Sequence, residues 1–256
     1  MVRNVTSTTS RLIAMLAVLA STLCGVSAAD ATSACRGTVI VVHDIAAGPG
    51  TMSAIDSGLK ADGWCTIAPA LPSLGMGGID TSAAQVADLV REQRGLHPQR
   101  PIHIVAHGVG ALAAMRAAQS APNAAADSLV AIGPMWNGTN IAFIGTLEQL
   151  SRDAGTYPLV LAIEAPLEDP VCRACREIIQ GSDFMRDMRS GDLTPHDMTV
   201  TNVVSRFDLL VQPASNGTFA GAKNIYIQDL NRFNFANHWL LPTDPTVLQL
   251  IKRALG

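Results

Sequence analysis

Between positions 102 and 112 the chain reads Ile102-His-Ile-Val-Ala-His-Gly-Val-Gly-Ala-Leu112. An apolar run passes through small residues straight into an Ala-rich stretch, the pattern of a buried strand turning sharply into a helix. A turn of this kind lifts its central residue above the sheet edge, where a serine flanked by small residues acts as a nucleophile. Here the five positions are Ala106-His107-Gly108-Val109-Gly110. Small residues at both ends suit close strand–helix packing. Gly108 accepts the left-handed backbone that would strain another residue by about 1–3 kcal/mol. It has no hydroxyl. The backbone of a nucleophile turn is therefore expected, without its reacting atom.

Cysteine and histidine are the other residue types that carry chemistry. Cys172-x-x-Cys175 has the spacing of a redox or zinc motif, but no second CxxC, paired histidines or HExxH accompanies it. No metal and no cofactor are expected from linear spacing. His103 sits within an apolar run, and His97 and His196 lie in polar turns.

The elements that must position these residues alternate along the chain. Thr38–Val42, Cys65–Ala68, Ile102–Val105, Leu129–Ile132, Leu159–Ile163, Val200–Ser205 and Asn224–Gln228 read as short buried strands. Thr51–Asp62 (stopped by Gly63), Thr81–Arg94, Gly110–Ser120 and Pro245–Leu255 read as helices. Strands alternating with helices imply an α/β fold: a doubly wound, mostly parallel sheet in three layers. With 256 residues, 48% hydrophobic and 15% charged, there is ample material for one sizeable core. Mean hydropathy of +0.25 excludes a disordered chain. No repeat or linker divides it.

Several segments together resemble the α/β-hydrolase superfamily, and specifically secreted bacterial lipases and esterases whose turn reads like GHSxGG. Val41-Val-His-Asp-Ile45 is similar to their VHGxGG segment, with Asp44 in place of a glycine. Gly133-Pro-Met-Trp-Asn-Gly-Thr139 and Cys175-Arg-Glu-Ile-Ile-Gln-Gly-Ser-Asp-Phe184 resemble two further family stretches. Val204-Ser-Arg-Phe-Asp208 resembles the strand end that carries the catalytic acid, and Asn237-His238-Trp-Leu-Leu-Pro-Thr-Asp244 the segment that carries the catalytic histidine. The resemblance covers nearly everything after Gly37 and implies an α/β-hydrolase-type sheet. It implies Asp208 and His238 as acid and base, Gly108 at the nucleophile position, and the backbone N–H groups of Ile45 and Val109 as the oxyanion hole. It places His43 and His107 beside these groups, orienting backbone. An inward-pointing Asp44 would weaken the oxyanion hole. With Ala106 and Gly110 holding the turn, Gly108→Ser is expected to create esterase activity at a cost on the order of 1 kcal/mol.

Residues 1–29 have the pattern of a signal peptide, with Arg3 and Arg11 around a polar start, an apolar Leu12–Val26 and small residues before a cut near Ala28 or Ala29. Residues 30–256 are expected to be a single domain, exported to the periplasm or beyond. Cleavage removes Cys24, Arg3 and Arg11 and leaves 16 basic against 21 acidic residues, a net charge of −5. No basic footprint for nucleic acid exists, and no stable membrane span is expected. Cys35, Cys65, Cys172 and Cys175 then form an even set in an oxidising compartment, read as disulfides. A 35–65 bridge would join neighbouring strand starts and contribute roughly 3 kcal/mol.

Two readings of function follow. One is a secreted carboxylic ester hydrolase of the lipase type, impaired by Gly108, with water activated by Asp208–His238 or another serine such as Ser73 or Ser182 as a substitute. The other is a pseudo-hydrolase, a monomer that binds a lipid, a small ester or a partner protein without turnover.

Overall fold

The centre of the sheet comes from short apolar runs, Thr38–Val42 and Ser128–Ile132, that are buried on both faces. The computed structural model describes residues 35–141 and 144–256. The expected leader lies outside them. Six strands, β1 (Thr38–Val42), β2 (Cys65–Ile67), β3 (Ile102–His107), β4 (Ser128–Ile132), β5 (Thr199–Val204) and β6 (Lys223–Tyr226), form one sheet in the order β2-β1-β3-β4-β5-β6. Every ladder is parallel, with Val42 opposite Ala106 and His107 opposite Ile132. All-parallel strands must be covered on both faces, which explains why β1 and β4 are buried along their whole length.

The cover is supplied by amphipathic helices. Alternation along β1 sends Ile40 and Val42 to a core shared with α2 (Ile79–Leu96) and α3 (Val109–Ser120), through Val86, Val90, Leu112 and Met115. Val39 and Val41 face the opposite core, built with α1 (Ser53–Ala61) and the final helix Pro245–Leu255 through Ile55, Leu59, Val247 and Ile251. Helices on both faces of a parallel sheet make the three layers. Gly63, at φ +82°, ends the turn after α1 as expected.

One strand expectation fails. Leu159–Ile163 lies inside a helix, Tyr157–Glu177, which follows α4 (Ile144–Asp153) and is numbered α5 here. Five apolar residues fit a strand or a helix turn equally well, and Pro158 in the first turn starts a helix rather than a sheet. Leu159, Ile163, Leu167 and Val171 then fall on one exposed stripe. The helix bends at Cys172 (φ −153°), and Glu177 near its end is buried, accepting the Ile79 N–H at 2.7 Å and Arg173 Nε at 2.8 Å. That carboxylate fastens α5 to the start of α2. A further helix, α6 (Asp183–Ser190), begins at Ser182, whose hydroxyl accepts the Met185 N–H. A four-residue helix α7 (Ile227–Leu230) follows β6, so Pro245–Leu255 is α8.

Candidate active site

Four segments that follow β1, β3, β5 and β6 meet, because parallel strands deliver their following loops to one edge. The turn between β3 and α3 puts Gly108 at φ +49° and ψ −118°, the left-handed region that glycine tolerates. Its N–H donates to Ile132 O at 3.0 Å. Gly110 allows α3 to lie against β1: a Cβ there would stand 2.5 Å from His43 O. The turn is built as the small residues imply.

The loop after β1 supplies Asp44. Its carboxylate points inward and is buried. Oδ1 accepts the Val109 N–H at 2.7 Å, and Oδ2 lies 2.9 Å from His238 Nε2. A Cβ on Gly108 would stand 2.0 Å from Asp44 Oδ1 and 2.3 Å from Cγ. The carboxylate therefore occupies the space a nucleophile side chain would fill. The expected cost of Gly108→Ser is therefore too small: a Cβ has room only if the Asp44 carboxylate leaves its bonds to the Val109 N–H and His238. Ile45, next along the loop, is half-buried against the core, and its neighbour has taken the Val109 N–H with which it was expected to share an oxygen.

Asp208 and His238 come together as their types suggest. His238 Nδ1 is 2.8 Å from Asp208 Oδ2, and Asp208 Oδ1 accepts the N–H groups of Leu210 and Val211 at 2.8 and 2.7 Å. Both imidazole nitrogens of His238 thus face carboxylates, leaving none for a serine. Ser182 is engaged as a helix cap and donates to Glu177 O at 2.6 Å. Burial opposes charge on His238, but the hydrogen bonds and charges of Asp208 and Asp44 overcome it and raise its pKa to about 9. Burial likewise opposes ionisation of Asp44, and His238, His107 and the Val109 N–H outweigh it, holding the carboxyl below its ordinary value. The result is an Asp44–imidazolium–Asp208 arrangement.

His43 and His107 flank this centre differently. Leu71 N–H donates to His43 Nε2 at 2.9 Å, so His43 Nδ1 carries the proton and donates to Asp44 O at 2.7 Å. His43 orients the loop backbone. His107 stacks on His238 with ring centroids 4.4 Å apart, and its buried Nε2 has no hydrogen-bond partner. Burial, aided by the charge of His238, lowers its pKa to about 4. His103 bonds Ser128 Oγ outside the site.

Sequence reasoning missed the residues that hold the His238 loop in place. Ser205 Oγ donates to Ala236 O at 2.5 Å, while Gln228 Nε2 donates to Ser205 Oγ at 3.0 Å and to Asn234 O at 2.9 Å. Asn237 caps the turn that begins at His238. Only the capping asparagine has a local signal. The others are polar residues whose partners lie on other loops.

The alpha/beta hydrolase family model matches residues 28–252. The chain belongs to that family. Among solved structures it is similar to Aspergillus fumigatus lipase B (16% identity, TM-score 0.67), with 86% of this chain covered but 52% of the other. This hydrolase-family chain thus spans about half the length of that lipase. A metagenomic carboxyl esterase is matched at 15% identity and TM-score 0.61, over 86% of this chain and 75% of the esterase. A Bacillus licheniformis lipase in mature form is matched at 11% identity and TM-score 0.59, over 86% and 92%. Identities this low speak to the fold alone. No curated protein sequence matches the chain.

The remaining cysteines complete the picture. Cys172 and Cys175 are bonded to each other, and Cys35 and Cys65 are also disulfide-bonded. The CxxC is a local bridge at the end of α5. Among the described residues no helix is long and apolar enough to cross a membrane.

Proposed function

We propose that this chain is an exported, monomeric lipase-type hydrolase that has given up serine-based ester hydrolysis and retains the binding of a neutral acyl compound. The observation that carries the reading is the Asp44 carboxylate, seated where the nucleophile would stand and hydrogen-bonded to the Val109 N–H. An ester carbonyl entering this site would find its oxyanion donor and the His238 Nε2 already occupied by a fixed negative group. Water activation by Asp208–His238 meets the same obstacle. The family's acid–histidine pair persists as a buried structural unit.

Ligand binding is supported by apolar surface that a monomer without a lipid-like ligand would not need. Phe207, Phe235, Trp239 and Leu240 are exposed on the loops that carry Asp208 and His238. A cavity of about 890 Å³ between α4 and α5 is lined by Ile144, Leu147, Val160, Leu167, Val171 and Leu210. Leu210 also donates its N–H to Asp208, so the cavity wall adjoins the site loop. Glu164 and Glu168 line the same wall, and its one arginine, Arg176, is already paired with Asp169, a balance that disfavours a carboxylate head and suits a neutral ester.

The test is hydrolysis of a short-chain nitrophenyl ester in the presence of a chelator. The parent protein is expected to match a His238→Ala control. Gly108→Ser alone should stay at that level and melt lower. Gly108→Ser combined with Asp44→Gly, which frees both the space and the Val109 N–H, should exceed the parent by at least about 100-fold. Turnover by the parent above the His238→Ala control would overturn the reading. A folded double variant without activity would show that the nucleophile turn or the Asp208–His238 assignment is wrong.

A further inference from the structure

Asp44, His107 and His238 each offer a ligand atom, and these atoms lie within 4.8 Å of one another in a fully buried cluster. From this geometry we infer that the three residues form a binding site for a divalent transition ion of the zinc type. The inference is independent of whether the chain hydrolyses esters. Linear spacing gave no hint of it, because the ligands come from the loop after β1, the end of β3 and the turn that begins at His238, and follow no motif.

Four features support the site. The donor set of two imidazoles and one carboxylate suits zinc and its neighbours and is wrong for calcium or magnesium, which take oxygen. His107 Nε2 is buried without a hydrogen-bond partner, an uncommon state for a side-chain nitrogen and one that a metal bond or the tilt accompanying it would relieve. Each other ligand is already oriented from behind. Asp208 holds His238 through Nδ1 at 2.8 Å, and the Val109 N–H holds Asp44 through Oδ1 at 2.7 Å. A carboxylate behind a histidine ligand is the usual outer support of a zinc site. Finally, among the described residues the ion pairs of Asp44 and Asp208 are with His238 alone, so no arginine or lysine balances the two buried carboxylates. One divalent cation does, taking the place of the His238 Nε2 proton, which is released to solvent on binding.

The adjustment required is small. Ligand atoms around a tetrahedral zinc at about 2.0–2.1 Å stand roughly 3.3 Å apart. The Asp44–His238 separation of 2.9 Å must open slightly, and the widest separation in the cluster, up to 4.8 Å, must close by roughly 1 Å or more. The stacked rings of His107 and His238, inclined at 28°, converge by tilting. Three protein ligands leave a fourth position open.

The test is titration of chelator-treated full-length protein with zinc chloride by calorimetry, with cobalt chloride as a spectroscopic probe. One ion per chain is expected, bound at micromolar concentration or tighter, with the visible absorption of low-coordinate cobalt and a raised melting temperature. His107→Ala should abolish stoichiometric binding, and Asp208→Asn should weaken it about 10–100-fold. Zinc-edge X-ray absorption on the parent protein should report two imidazoles and a carboxylate oxygen, a reading that does not depend on any variant folding. Absence of one-to-one binding, binding undiminished in folded His107→Ala, or an absorption spectrum of water and surface ligands would each overturn the inference.

Discussion

Asp44 and Gly108 are coupled in space. The carboxylate fits only because position 108 has no side chain, and it satisfies both the Val109 N–H and the His238 Nε2. This coupling makes stability depend on pH in a defined way in metal-free protein. His238 titrates near 9 in the fold against an ordinary 6.5, so its contribution is complete below about pH 6.5 and is lost as pH rises through 9. That rise corresponds to about 3 kcal/mol. His107 acts oppositely: lowered to about 4, it stays neutral in the fold, and acidification below 6.5 favours the unfolded chain, which takes up the proton. The lowered carboxyl of Asp44 adds a further loss at still lower pH. Urea melts should therefore show a stability maximum near pH 6.5, and His238→Gln should flatten the alkaline limb. A flat alkaline limb in the parent would contradict the doubly bonded imidazolium.

At the scale of elements, the site depends on how closely α3 approaches β1. Gly110 sits where a Cβ would meet His43 O at 2.5 Å and Val42 Cγ1 at 2.9 Å. Backbone carbonyls of a buried strand end cannot move aside cheaply. Gly110→Ala is expected to cost about 1–3 kcal/mol by thermal melting, as overpacking does. Gly50→Ala, with nothing near its Cβ, should change stability by less than about 0.5 kcal/mol. Equal melting temperatures for the two variants would remove the close approach as the reason for glycine. The helices between β4 and β5 obey a different logic, since α5 presents Leu159, Ile163, Leu167 and Val171 outward. Its apolar residues are spent on a cavity wall and an exposed stripe rather than on the sheet, which is why they read as a strand in isolation.

For the whole molecule, the disulfides and the two cores divide the work of stability. A contiguous buried core lies on either side of the sheet, so the bridges add to a core rather than replace one. Cys172–Cys175 spans three positions and closes too short a loop to constrain much unfolded chain. Cys35 and Cys65 are expected to pair, closing a loop that enters the first two strands. Mass mapping of exported, non-reduced protein should recover one peptide pair linking them. Recovery of either cysteine as a free thiol, or joined to a different partner, would refute that pairing.

Much of this protein was legible in its residues. Unbroken β-branched runs require a sheet covered on both faces, and Ala106, Gly108 and Gly110 require a tight turn at the end of β3, because these are local steric demands that hold in any context. The segments around Asp208 and His238 imply that the two meet, and they lie 2.8 Å apart. The direction of the Asp44 side chain was not, since a loop carboxylate can face water or the site with no change in sequence. Only the packed structure decided that it fills the volume beside Gly108, takes the Val109 N–H and bonds His238. The resemblance placed His107 beside these groups, but the convergence of its ring with Asp44 and His238 on one point was hidden, for ligands from separate elements leave no periodic trace. Local sterics are written in neighbouring residues; what a buried charge faces is set by chain segments far apart in sequence, and those meet only when the sheet brings its loops to one edge.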